Sequence, residues 1–199
     1  MRIAISGTHS LGKSTFVNDF HQKHSDYILE TEPFRALRDN HIIHFAEKAT
    51  QLCNLLQIDH CIERSKLYHK NDNVIFDRCA ADYLPYSEYP EKFGDTDIDK
   101  LFIDSLYPLI NKAMNYLDLI VFIPISESYC IDIEDDGIRP TDAFYQEWVD
   151  QSFKRMYREK WQSIVGATHK DRPKIVEITG DRQHRVKTLE DVIQSMDAK

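Results

Sequence analysis

The chain starts with a short apolar run, Arg2 to Ser6, that passes directly into GTHSLGKST, Gly7 to Thr15. Gly7, Gly12, Lys13 and Ser14 fit the spacing G-x-x-x-x-G-K-[ST]. In that arrangement a loop leaves a strand, turns its backbone N–H groups around a phosphate and opens a helix. No other stretch restricts the fold as much. The loop works only where a strand gives way to a helix whose positive N-terminal end faces the same anion. Gly7, Thr8, His9, Ser10, Leu11, Gly12, Lys13, Ser14 and Thr15 are therefore the expected phosphate-binding residues. Lys13 is placed to reach the terminal phosphates, and Ser14 to offer its hydroxyl to Mg²⁺.

Four more short runs are apolar and β-prone: YILE at 27–30, NVIFD at 73–77, DLIVFI at 118–123 and KIVEI at 174–178. Their hydrophobicity is nearly continuous, as expected of strands covered on both faces. Helices are expected between them at 13–24, about 42–70, 97–115, 141–163 and 183–196. Phe45, Ala49, Leu52 and Leu56 make an apolar stripe in the second of these, and Leu55, Ile58 and Ile62 an adjoining one, both read as core packing. Alternating strand and helix predicts a three-layer α/β/α domain of the P-loop NTPase class, with a parallel, doubly wound five-stranded sheet. With 199 residues, and neither a repeat nor a low-complexity tract, one domain over 1–199 is expected.

Composition narrows the partners. No apolar run approaches a membrane span, and no signal peptide precedes the first strand, so a cytoplasmic protein without membrane contact is expected. Cys53, Cys61, Cys79 and Cys130 show no C-x-x-C spacing and read as reduced thiols. A formal charge of −8 disfavours a nucleic-acid polymer and leaves room for a small phosphorylated ligand.

In such sheets the ligand lies beyond the carboxyl ends of the strands. After the second strand, Glu32 is a candidate base for a hydroxyl attacking the γ-phosphorus, or equally a loop glutamate that caps a helix. Glu30, two residues earlier, still belongs to the strand. Arg35, with Arg38 three residues on, is a candidate for holding an anionic acceptor. After the third strand, Asp77 stands where an acidic residue holds Mg²⁺, and Arg78 follows to orient acceptor or phosphate. Asp82 is a weaker acceptor-facing candidate. After the fourth strand, a lid-like segment at about 126–140 contains Asp132, Glu134, Asp135, Asp136 and Gly137, and Arg139 is placed to reach the transferred group. Gly180 and Asp181, after the fifth strand, would let backbone approach a purine edge. His41 and His44 lack a third ligand and read as ordinary histidines.

These residues resemble the P-loop kinases of nucleosides and nucleotides. Glu32-Pro33 is similar to the Glu-Pro of deoxynucleoside kinases, which implies the glutamate as base, and Asp77-Arg78 to the acid–arginine pair of those enzymes. The order of GTHSLGKST, a glutamate near an arginine, an aspartate ending strand three, and DDGIR is similar to the ribosylnicotinamide-kinase domain type and to related AAA-type ATPase domains. The lid lacks the paired arginines of deoxynucleoside kinases. The combined expectation is ATP- and Mg²⁺-dependent phosphoryl transfer to a small nucleoside-like acceptor, with Lys13, Glu32, Asp77, Arg78 and Arg139 catalytic. Ser14 and Asp77 would hold the metal, and Glu32, Arg35, Arg78 and Asp82 the acceptor. The alternative is an NTPase or regulatory ATP-binding module without a small-molecule acceptor. A homodimer is left open.

Overall fold

The computed structural model describes residues 1–39, 43–127, 133, 141–165 and 172–198. The five apolar runs become five strands: β1 (Arg2–Ser6), β2 (Ile28–Glu30), β3 (Val74–Asp77), β4 (Leu119–Phe122) and β5 (Lys174–Glu177). They form one parallel sheet in the order β2-β3-β1-β4-β5. In register, Ile5 stands opposite Asp77 and Ser6 opposite Phe122, so the ends of β1, β3 and β4 reach the same edge.

Alternate strand residues serve two cores. Ile3, Ile5, Ile75, Leu119 and Val121 pack with Phe16, Val17 and Phe20 of α1 (Lys13–Lys23) and Val186 and Leu189 of α8 (Arg182–Asp197). Ala4, Val74, Phe76, Ile120 and Phe122 face the opposite layer. That layer contains α3 (Gln51–Lys66), α4 (Tyr83–Phe93), α5 (Lys100–Ala113) and α6 (Ala143–Arg155). Full burial of one such side chain contributes roughly 1.5–3 kcal/mol, which is why the strand runs are apolar on both faces.

Helix starts differ in a way that matters for the site. Thr50, Asp99, Asp142 and Asp181 each accept a backbone N–H at the start of α3, α5, α6 and α8. α1 starts on Gly12 with no side-chain cap. Its first N–H groups are left for an external anion.

Three expectations change. The helix expected at about 42–70 is shorter: a 3₁₀ turn at Ala46–Lys48 precedes α3, which starts only where Thr50 caps it. Its buried face carries Cys53, Asn54, Gln57, Ile58 and Ile62, while Leu52 is 65% exposed. Of the Phe45–Leu56 stripe, Ala49 is buried in the core, Phe45 and Leu56 are partly buried and Leu52 is exposed. α4 forms despite two prolines; Pro85 sits in the first turn, where its missing N–H has no helical partner. The helix expected at 141–163 is α6 followed by a π-helical segment, Met156–Lys160, and α7 (Trp161–Val165). His41, Cys130, Arg139 and the lid residues Asp132, Glu134, Asp135, Asp136 and Gly137 lie outside the described residues. Among the described residues no helix is long and apolar enough to cross a membrane.

Candidate functional site

The phosphate loop borders a cavity lined by Ser10, Gly12, Lys13, Ser14 and Thr15, with Asn18 of α1 beside them. Glu32, Arg35, Asp77 and Arg78 close it from the strand ends. Gly7 (φ 135°) lies against the chain leaving β4, where a Cβ would collide with the Ile123 carbonyl. Lys13 is buried and its ammonium rests on the Thr8 carbonyl. Burial and the nearby Arg78 charge push the Lys13 pKa down to about 7; a bound polyphosphate restores its charge.

Asp77, at the end of β3, accepts the Ser14 hydroxyl at 2.5 Å. Burial, then the Glu32 charge, raise its pKa above the usual carboxylate value. A hydroxyl next to a carboxylate is a pair of hard oxygen donors of the kind a divalent cation takes. Among the described residues no three His, Cys, Asp or Glu side chains converge. The Ser14 hydroxyl and Asp77 carboxylate are oxygen donors of the type Mg²⁺ takes alongside waters and substrate phosphates.

Arg78 is the hub. Its Nε donates to Glu32 Oε1 at 2.7 Å, and its Nη1 to Asp82 Oδ2 and the Gly7 carbonyl, each at 3.1 Å. Its guanidinium lies 5.0 Å from the Tyr86 ring centroid. Burial opposes the charge, but Tyr86, Glu32 and Asp82 outweigh it and hold the Arg78 pKa well above the ordinary value. Beneath it, Ser6 donates to Asp82 at 2.7 Å and meets the Tyr157 hydroxyl at 2.7 Å. The π-helical segment that contains Tyr157 brings its hydroxyl to the end of β1.

A second cavity adjoins the first and shares Glu32 and Arg78 with it. Phe45, Tyr83, Tyr86 and Tyr145 supply aromatic walls, with His9 and His44 beside them and the amides of Asn54 and Gln57 on the α3 side. Asn54 donates to the Ser87 hydroxyl at 2.8 Å, and Gln57 to the Cys53 carbonyl at 3.1 Å. The His9 ring stacks on Tyr145 at 5.1 Å. Ser10, Ala46 and Arg78, the described non-glycine residues with positive φ, all line one or both cavities. Backbone strain of this kind gathers at functional sites.

The structure brings Lys13, Ser14, Glu32, Asp77 and Arg78 together, with Arg35 half-exposed at the rim, 3.8 Å from Glu32. Arg38 pairs instead with Asp39. Glu30 ends β2 and is held by Arg64 and Tyr68. Asp82 is 0% exposed and its carboxylate is engaged by Ser6 and Arg78, so it positions Arg78 and does not line either cavity. Gly180 and Asp181 also line neither cavity; the Asp181 side chain caps α8 through the His184 N–H. Within the phosphate loop, His9 turns its ring into the second cavity, and Leu11 packs in the core. Sequence reasoning missed Asn54, Gln57, Tyr83, Tyr86 and Tyr145. The available signal was two amides on the face of α3 that should bury apolar residues.

A family model described as an AAA domain matches residues 2–172. No curated protein sequence matches the chain. Among solved structures, thymidylate kinase from Candida albicans aligns with a TM-score of 0.68 and 20% identity, over 98% of this chain and 91% of the other. Deoxyadenosine kinase from M. mycoides with bound dATP aligns at 0.66 and 18%, over 98% and 99%. NadR protein in complex with NR aligns at 0.60 and 20%, over 95% of this chain but 50% of NadR. The fold is that of the P-loop nucleoside and nucleotide kinases. The chain belongs to the AAA-domain family.

Proposed function

We propose that the protein is a kinase that transfers the γ-phosphoryl group of ATP to a hydroxyl of a nucleoside-like acceptor. One observation carries this reading: Glu32 and Arg78 are walls of both the phosphate-loop cavity and the aromatic–amide cavity. A group that faces both cavities can act on an atom passing from one to the other. ATP would lie along Gly7 to Thr15, with Lys13 at the β- and γ-phosphates. The acceptor would enter among Tyr83, Tyr86 and Tyr145, which suit a flat ring, with Asn54 and Gln57 at its polar edge. Glu32 takes the hydroxyl proton as that oxygen bonds to the γ-phosphorus and the bond to the β,γ-bridging oxygen breaks. Arg78 steadies Glu32 and the transferred group. Ser14 and Asp77 would hold Mg²⁺, which supplies charge neutralisation at the phosphates.

A nucleoside suits this cavity better than a nucleotide. Among the described residues lining it, Arg78 is the one permanent cation, and Glu32 and Asp82 already flank it. A monophosphate would need a cation not committed to carboxylates. The Arg139 role proposed from sequence, contact with the migrating phosphoryl group, belongs to the same scheme.

The test is ADP release with Mg²⁺–ATP and a panel of nucleosides, nucleotides and ribosylated vitamins. ADP should rise only with an acceptor, and most with a nucleoside. Steady ADP output without acceptor would favour an NTPase, and ATP binding without ADP a binding module. ATP at about a hundred times its dissociation constant should add roughly 2.7 kcal/mol of stability, visible in thermal unfolding.

Asp77→Asn separates the metal role from the fold. The amide still accepts the Ser14 hydroxyl but carries no charge to be buried beside Glu32. The ligand-free variant should melt no lower than wild type and require more Mg²⁺ for turnover. A wild-type Mg²⁺ requirement would remove Asp77 from the metal site.

A further inference from the structure

Four carbonyls of the phosphate loop are held by side-chain donors, two of which, Gln146 and Arg185, lie outside its cavity. Arg78 takes that of Gly7 and Lys13 that of Thr8. Gln146 Nε2 donates to the His9 carbonyl at 3.0 Å, and Arg185 Nη1 to the Leu11 carbonyl at 2.6 Å. The last two donors come from α6 and α8, 137 and 174 residues along the chain from the carbonyls they hold. Both side chains are buried.

Within the plane of a trans peptide the C=O and the following N–H point in opposite directions, and the described residues contain no cis peptide. Holding the His9 carbonyl outward therefore turns the Ser10 N–H inward, and holding that of Leu11 does the same for Gly12. Ser10 and Gly12 line the phosphate cavity, whereas the Leu11 side chain packs in the core. Both also have left-handed backbone, at φ 56° and 69°, the alternation that gathers successive N–H groups into an anion-binding nest. If either peptide plane rotated, a carbonyl oxygen would point at the phosphates in place of an N–H.

We infer that Gln146 and Arg185 are positioning residues for the donor phosphates: each fixes one peptide plane so that the Ser10 and Gly12 N–H groups face the anion. This role rests on the nucleotide-binding reading of the loop proposed above. Arg185 also donates from Nε to the Gly180 carbonyl at 2.8 Å, so the turn after β5 and the phosphate loop share one guanidinium. Gln146 follows Tyr145, which stacks on the His9 ring, so α6 holds both the ring and the carbonyl of that residue.

The probe is inorganic tripolyphosphate with Mg²⁺, titrated calorimetrically into wild type, Gln146→Leu, Arg185→Met and Arg185→Lys. It touches the phosphate cradle and has no base or sugar. Affinity is measured well below each variant's melting temperature, so that global stability does not enter. Gln146→Leu and Arg185→Met should each weaken binding by about tenfold, the usual effect of losing a hydrogen bond of this kind. Arg185→Lys should recover part of the loss, since one donor remains. Wild-type affinity in folded Gln146→Leu and Arg185→Met would overturn the assignment while leaving the nucleotide reading intact. Arg185→Lys as weak as Arg185→Met would overturn it for Arg185. No tripolyphosphate binding by wild type would overturn the nucleotide reading itself, and this role with it.

Discussion

Glu32→Gln is expected to leave ATP affinity near wild type while slowing phosphoryl transfer by about 10²–10⁴-fold, the usual contribution of a general base. The glutamine keeps the length of the side chain, and its oxygen can still accept the Arg78 Nε–H that Glu32 accepts at 2.7 Å. It cannot take a proton from a hydroxyl. Single-turnover transfer and a nucleotide titration on the same variant separate the two effects. Lys13→Ala should differ in kind, losing ATP affinity as well as rate, because it removes a cation from the phosphates. Undiminished transfer in Glu32→Gln would point to another base or to a phosphate acceptor, which is already an anion. Equal loss of ATP affinity in the two variants would place Glu32 on the donor side and end its assignment as base.

Arg78→Met should have the largest effect on stability. It leaves the carboxylates of Glu32 and Asp82 in a site where the three side chains are 5%, 5% and 0% exposed. Breaking a buried ion pair from one side costs about 3–5 kcal/mol, read as a lower denaturation midpoint. The pH dependence has a definite sign. Burial already raises the Asp82 pKa above the usual carboxylate value, against the pull of Arg78, and loss of Arg78 raises it further. A carboxylate with a raised folded pKa favours the fold below its unfolded pKa and loses that contribution as pH rises through the folded value. The deficit of Arg78→Met should therefore be greatest near neutrality and shrink as pH falls toward 4. A deficit that does not change with pH would assign the loss to packing and not to the unpaired carboxylates.

The sheet was legible because parallel strands covered on both faces leave a distinctive trace: RIAIS, VIFD and LIVF are apolar at nearly every position, and each is a strand. The phosphate loop was legible because glycine spacing is a local backbone requirement, seen in the left-handed Gly12. Glu32, Asp77 and Arg78 followed from their places just after strands. The aromatic–amide cavity was not legible, since α3, α4, α6 and the turn at Phe45–Ala46 build it together. Its polar residues, Asn54 and Gln57, interrupt an apolar helix face, and periodicity treats such an interruption as noise. α4 was hidden by Pro85 and Pro90, whose cost depends on where in the helix each falls. Asp82 faces Ser6 and Arg78 and lines neither cavity, because position after a strand does not say whether a carboxylate faces a cavity or an arginine.

The two cavities are made of different material. The phosphate-loop cavity is lined by loop residues, the start of α1 and the strand ends, whereas the neighbouring cavity takes its aromatic and amide walls from α3, α4, α6 and the turn at Phe45–Ala46. Substitutions at Asn54, Gln57 and Tyr83 change the second cavity away from the loop, whereas Tyr145 stacks on His9 of the loop and Tyr86 lies against Arg78. On the proposed reading, a lineage built on this plan changes its acceptor through the second cavity while keeping its phosphoryl donor. Glu32 and Arg78 escape that freedom, since a change at either is felt in both halves at once.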